Sequence, residues 1–541
     1  MKLTLESIKN DRDAFIKAGY SLPAFDHDAI TANTKKNPEW IHFGAGNIFR
    51  AFQANVLQEL LNKGDMETGL IAVEGFDYEI IEKSYRAHDN LSILATLKVD
   101  ASVDKTVVGS IVESLILDRD NTEDFGRLKE IFAAPSLKMA SFTITEKGYA
   151  INDPQGNVLP FVAADFEAGP DKASGYLGKV ISLLYHRFKF GALPIAMVSM
   201  DNCSHNGDKL KAAAVAFAKA WTEKGLAAAG FLDYIGDSSR VSFPWSMIDK
   251  ITPRPDSKVE AMLNKDNIDD LEPVVTSRNT YIAPFVNAEE CQYLVIEDSF
   301  PNGKLPLDKA GIIYTDRETV DKVEKMKVCT CLNPLHTTLA IYGCLLGYTL
   351  ISDEMKNPLL KRFVETVGYT EGLPVVVDPG IIEPRKFIDE VVNIRIPNPF
   401  MPDTPQRIAT DTSQKLPIRF GETIKAYEKR DDLDVHSLKL IPLVFAGWLR
   451  YLMAVDDEGN AFEPSSDPLL SEAQKYVTDY KLDDAPKDLS KLDGLLANES
   501  IFGVDLIETG LADTVKKYFS ELSSGKGAVK ATLEKYVTPQ S

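Results

Sequence analysis

Between Glu324 and His336 the chain reads Glu-Lys-Met-Lys-Val-Cys-Thr-Cys-Leu-Asn-Pro-Leu-His, placing Lys327, Asn333 and His336 along one apolar stretch. A lysine against buried apolar surface loses its proton more readily because desolvation disfavours the ammonium, so Lys327 is a candidate base near neutral pH. Asn333 and His336 are candidates to hold a substrate oxygen. The same residues also read as plain structure, with Lys327 on a solvated helix face, Asn333 ending that helix before Pro334, and His336 as a core histidine.

A second site candidate lies near the N-terminus. Glu39-Trp40-Ile41-His42-Phe43 is a strand-like run that ends at Gly44-Ala45-Gly46, and Phe49 to Leu61 then carries apolar residues at helical spacing. Strand, glycine turn and helix together form a dinucleotide-binding pattern, in which two glycines let backbone N–H groups approach a pyrophosphate. Gly44, Gly46, Asn47, Ile48, Phe49 and Arg50 form the candidate cofactor turn, with Phe49 standing where the pattern has its third glycine. The next apolar run, Gly69 to Val73, ends at Glu74, whose carboxylate would accept from ribose hydroxyls and repel a 2′-phosphate, favouring NAD over NADP. Glu74 is also readable as an ordinary strand-end carboxylate.

These segments need a scaffold that alternates strand and helix. Leu91 to Val99, Val107 to Leu117, Met139 to Thr145 and Leu193 to Ser199 read as further strands, which predicts an α/β domain with a mainly parallel sheet. From about residue 305 the pattern is helical: Arg317 to Lys327, Thr337 to Leu350, Pro358 to Val367, Ser437 to Ala454 and Leu511 to Leu522. The turn-rich Pro301 to Pro306 predicts a boundary there, giving a nucleotide-binding domain over 1–305 and a mostly α-helical domain over 306–541.

Bulk properties narrow the function. At 541 residues the chain is long enough for two to four domains, and no apolar run approaches the roughly 20 residues of a membrane span. A net charge of −20 argues against a nucleic-acid partner. Five scattered cysteines fit a reduced cytoplasm and show no zinc spacing, so no metal is expected.

Six segments in order carry a resemblance: Gly-Ala-Gly-Asn-Ile-Phe-Arg-Ala-Phe-Gln (44–53), Thr-Ile-Thr-Glu-Lys-Gly-Tyr (143–149), Met-Asp-Asn-Cys-Ser-His-Asn-Gly (200–207), Phe-Pro-Trp-Ser-Met-Ile-Asp-Lys-Ile-Thr-Pro (243–253), Ile-Glu-Asp-Ser-Phe-Pro-Asn-Gly (296–303) and the Lys327 segment. From about residue 40 to 470 the chain resembles the polyol-specific long-chain dehydrogenases, a family that includes mannitol dehydrogenases and hexuronate reductases. The resemblance implies a Rossmann-type domain followed by a helical domain, a metal-independent reaction with NAD, and a lysine acid/base. It makes Lys327 that lysine, Asn202 and Asn333 the amides that hold the reacting oxygen, and His336 a substrate-positioning histidine. Asp249, Arg407 and Lys415 become substrate contacts. Glu324, three residues before Lys327 on its helix face, becomes a proton relay, with Glu146 a weaker relay candidate.

The Arg-Ala-Phe of the first segment is closer to uronate reductases than to mannitol enzymes, which points to D-fructuronate reduction to D-mannonate. Tagaturonate reduction and mannitol oxidation are the alternatives, and a nucleotide-binding regulatory protein that has lost its chemistry is the alternative of another class. A small-molecule partner and a monomer or small homo-oligomer are expected.

One departure has a structural consequence. Five residues separate Lys327 from Asn333, one more than the family pattern. On a regular helix, at about 100° per residue, Lys327 and His336 would lie about 180° apart. A one-residue π-bulge within Val328 to Leu332 would return them to roughly 80°. A bulge or helix break is therefore predicted there.

Overall fold

Strand residues alternate between two faces, and a sheet covered on both sides must be apolar on both. In the run Trp40–Phe43, Ile41 and Phe43 enter one core and Trp40 the other. Ile71 and Val73 likewise oppose Leu70 and Ala72, and Ile195 and Met197 oppose Ala196 and Val198. The computed structural model, which describes residues 1–482 and 488–538, assembles six such strands: β1 (Trp40–Phe43), β2 (Leu70–Glu74), β3 (Ile111–Ile116), β4 (Met139–Phe142), β5 (Ile195–Ser199) and β6 (Val241–Ser242). All pair in parallel, in the order β3-β2-β1-β4-β5-β6. This is the doubly wound Rossmann order, with its switch point between β1 and β4.

Other expected strands go elsewhere. Ser92–Leu97 pairs antiparallel with Val103–Val108 and parallel with Phe285–Glu289, in a separate four-stranded sheet. The run expected as one strand from Val107 to Leu117 is therefore two, belonging to different sheets. The chain changes sheets at Gly109-Ser110, where Gln58 Oε1 accepts from the Gly109 N–H at 2.6 Å and Ser110 Oγ donates to the Ala54 carbonyl at 2.6 Å.

The chain divides into two compact units, Met1–Lys98 with Ser102–Asp321, and Val99–Ala101 with Lys322–Ser541. Ile313–Thr315 pairs in parallel with Tyr293–Glu297 and so belongs to the first unit. Among the described residues no helix is long and apolar enough to cross a membrane.

The second unit is helical. Leu440–Leu452 is buried along its whole length, and Tyr342, on the helix Asn333–Leu345, donates to the Leu443 carbonyl at 2.7 Å. The orphan N–H groups at the start of Leu440–Leu452 are capped from outside: Glu371 accepts from Lys439, Leu440 and Ile441, each at 2.7 Å. Glu354 is the contrasting case. It is fully buried, neither carboxyl oxygen has a partner among the described residues, and a Cβ on Gly343 would collide with it.

Burial pushes the Glu354 pKa up to about 9, from an ordinary 4.5. The native state keeps this proton up to about pH 9, while the unfolded chain releases it near 4.5. Folding is thus increasingly disfavoured as pH rises between those values. Glu354→Gln, which keeps the shape without the titration, is expected to raise the apparent Tm at pH 8 by a few degrees and leave it nearly unchanged at pH 4.5, read by thermal melts across pH.

Candidate functional site

In the first unit the chain leaves β1 through Gly44, whose φ of +108° is a glycine conformation. A Cβ there would collide with the Thr143 carbonyl, whereas one on the exposed Gly46 would meet nothing within 4 Å. The first glycine thus packs the turn against β4, and the second leaves backbone open to a ligand. Glu74 closes the turn. Its Oε2 accepts from the Ala45 N–H at 3.1 Å, and its Oε1 from the N–H groups of Gly75, Phe76 and Asp77 at 3.0, 2.8 and 3.3 Å. Oε2, with one donor, keeps capacity for another.

Gly44, Gly46 and Glu74 line a cavity of about 730 Å³, together with Phe76, Thr145 and Tyr176. Asn47, Ile48, Phe49 and Arg50 do not line it. Phe49 lies flat on His42, ring centroids 4.0 Å apart, so the missing third glycine is replaced by an aromatic stack between helix and strand. Arg50 is buried, donating to the Ala283 carbonyl at 2.7 Å, Ser84 Oγ at 3.2 Å and Asn47 Oδ1 at 3.0 Å. The open turn, the carboxylate and the cavity fit a dinucleotide.

Two further segments are tied together in this unit. Asn206 donates to the Asp201 carbonyl, the Ser246 carbonyl and Ser246 Oγ at 3.0, 3.0 and 2.9 Å, and accepts from the Ser246 N–H. A Cβ on Gly207 would strike the carbonyl of Phe243, which explains why the pair is Asn-Gly. Asp201 accepts from the Ile144 and Thr145 N–H groups and the Tyr149 hydroxyl at 3.0, 2.9 and 2.6 Å, and burial raises its pKa. Asn202 is exposed on the loop between these anchors. Asp249 is buried at the end of the strand Ser246–Asp249, opposite Tyr293. Glu146 is exposed and accepts from Lys209 at 2.9 Å.

In the second unit the expected irregularity is present. The helix Arg317–Met326, which carries Glu324, runs into a π-helical turn over Lys327–Cys331, and the Leu332 N–H bonds the Lys327 carbonyl at 3.1 Å. Leu332 then leaves helical geometry, at φ −129° and ψ −61°, before Asn333–Leu345 begins with Pro334 in its first turn. The extra residue is taken up by a wide turn followed by a break. Lys327 is only 3% exposed, while Glu324, Asn333 and His336 are half-buried.

His336 is held neutral, its pKa pushed down to about 4 by burial and by the charges of Arg395, Arg419 and Arg407 against Asp403. Arg407 is mostly exposed and pairs with Asp403. Lys415 donates to the carbonyls of Ile408, at 2.9 Å, and Thr410, and burial with the Arg419 charge pulls its pKa down to about 8. Arg419 was absent from the sequence-based set, although it lies one helical turn after Lys415 and that spacing is the signal that could have found it. Among the described residues, no group of three or more His, Cys, Asp or Glu side chains is arranged to hold a metal.

Comparisons with known proteins identify the family. The mannitol dehydrogenase Rossmann domain matches residues 38–309, and the mannitol dehydrogenase C-terminal domain matches residues 319–523. The chain is 53% identical over 539 residues to a D-mannonate oxidoreductase of Thermotoga maritima, covering 99% of each chain. Among solved structures it is similar to a substrate-free D-sorbitol dehydrogenase, with a TM-score of 0.77 and 26% identity over 95% of this chain and 98% of that one. It is also similar to the Pseudomonas fluorescens mannitol 2-dehydrogenase in ternary complex with NAD and D-mannitol, with a TM-score of 0.67 and 26% identity over 99% of each. The chain therefore belongs to the mannitol dehydrogenase family of oxidoreductases.

Proposed function

We propose that this protein interconverts D-mannonate and D-fructuronate with NAD, using Lys327 as acid and base. The observation that carries the reading is the 53% identity, across the full chain, to the D-mannonate oxidoreductase of Thermotoga maritima. When bound, the nicotinamide supplies or accepts the hydride. Gly46 offers its backbone to the pyrophosphate, and Glu74 Oε2 accepts from a ribose hydroxyl. The same buried carboxylate disfavours a 2′-phosphate.

In reduction, the Lys327 ammonium gives its proton to the carbonyl oxygen as the carbon becomes tetrahedral. In oxidation, the neutral amine takes the hydroxyl proton. The low exposure of Lys327 keeps water from competing for that transfer. The amides of Asn333 and Asn202 donate to the reacting oxygen and stabilise its alkoxide character, the part that a metal ion plays in other dehydrogenases. His336, neutral at working pH, positions substrate without adding a further cation. Glu324 passes the proton to solvent, and Asp249, Arg407 and Lys415 bind the rest of the substrate.

Purified protein with NADH is expected to reduce D-fructuronate in preference to D-tagaturonate and D-fructose; fructose turnover without uronate turnover would sink the proposal. Lys327→Ala is expected to lower kcat on the order of 100- to 10,000-fold, with NADH affinity retained in a fluorescence titration. Initial rates should favour NADH over NADPH, and Glu74→Gln should narrow that preference roughly tenfold.

A further inference from the structure

The cationic groups clustered around Lys415 are unequal in what they already hold. Arg407 has Asp403 as its counter-ion, and Lys415 spends hydrogen bonds on two backbone carbonyls. Arg419 sits on the π-helical turn Pro417–Gly421 and is half-buried. Its Nη1 donates to Thr337 Oγ1 at 2.5 Å and to the Asn333 carbonyl at 3.4 Å. Among the described residues no carboxylate pairs with it, and its Nε and Nη2 make no hydrogen bond.

A partly buried guanidinium without a counter-ion is costly, since burial removes water that its charge would otherwise keep. That burial is already visible in its pKa, pulled down to about 10. An anionic ligand would offset the cost. Nε and Nη2 form one edge of the guanidinium fork, whose spacing matches the two oxygens of a carboxylate. The Nη1 bonds meanwhile fix the guanidinium to the first turn of Asn333–Leu345, with one of them on Asn333 itself. Lys415, one helical turn earlier, adds positive charge on the same side of the balance.

We propose that Arg419 binds the substrate carboxylate through its Nε and Nη2 edge and so selects a sugar acid over the matching neutral sugar. This rests on the reading that the substrate is a hexuronate. It deepens that reading by separating the group that holds the carboxylate from Asn333, which holds the reacting oxygen. Arg419 reaches both ends of the problem, one edge on substrate and the other on the backbone of Asn333.

The test uses the full-length protein with NADH and compares kcat/KM for D-fructuronate and D-fructose in wild type, Arg419→Gln and Arg419→Lys. In Arg419→Gln the fructuronate-to-fructose ratio is expected to fall roughly 10- to 100-fold, mainly through the KM for fructuronate, with Arg419→Lys recovering part of it. Equal losses on both sugars would mean that Arg419 only supports the helix start, and would overturn the proposal. If Arg419→Gln does not fold, Arg419→Lys gives the same comparison with the same two outcomes. Calorimetric binding of D-mannonate and D-mannitol to the NAD-loaded protein separates this idea from the one beneath it. A wild type that does not reduce fructuronate sinks the proposed function, yet the carboxylate site stands if mannonate binds more tightly than mannitol and the variants lose that difference. No such difference in the wild type overturns it.

Discussion

A backbone N–H that leaves regular structure inside a protein must find an acceptor, and in this chain the acceptor is repeatedly a buried carboxylate. Glu74 gathers four amides around the glycine turn, and Glu371 gathers three at the head of Leu440–Leu452. Asp201 takes those of Ile144 and Thr145, Asp165 those of Ser174 and Gly175, and Asp457 those of Val529 and Lys530. The loops that border the candidate cofactor cavity are therefore held by side chains as well as by backbone bonds such as Gly44 N–H to the Val73 carbonyl. Part of the acidic balance of the sequence is structural glue and says nothing about a partner.

The second recurring device is the π-helical turn. Arg50, Lys327, Arg395 and Arg419 each lie on one. A wide turn shifts every residue after it around the helix axis, so it sets which side chains share a face without altering the sequence on either side. At Lys327–Cys331 the wide turn and the break at Leu332 take up the extra residue between Lys327 and Asn333.

Much of this was legible in the sequence, because it rests on period and spacing. The strand–glycine–helix unit over Trp40–Lys63 is readable directly, and the π turn follows from the one residue by which the Lys327-to-Asn333 spacing exceeds the pattern of the family the chain resembles. What was not legible depends on contacts between distant residues. Nothing local to Val107–Leu117 reveals that Gly109-Ser110 changes sheets, since the bonds that hold it come from Gln58 and Ala54. Glu74 reads as a ribose ligand, and only its surroundings show that it also closes the turn. Arg50 looks like part of the cofactor turn until Ser84 and Ala283 are seen to claim it. The spacing of Arg419 from Lys415 is visible in the sequence, but that no carboxylate among the described residues pairs with it is not.

Glu354 has a consequence for bookkeeping of another kind. The formal charge of −20 counts it as ionised, whereas the folded chain holds it as the neutral acid at pH 7. Unfolding near neutrality then frees about one proton from this single site. The heat measured on unfolding must include the heat of the buffer that takes that proton up, so calorimetric enthalpies of this protein differ between phosphate and an amine buffer even where the melting temperature does not.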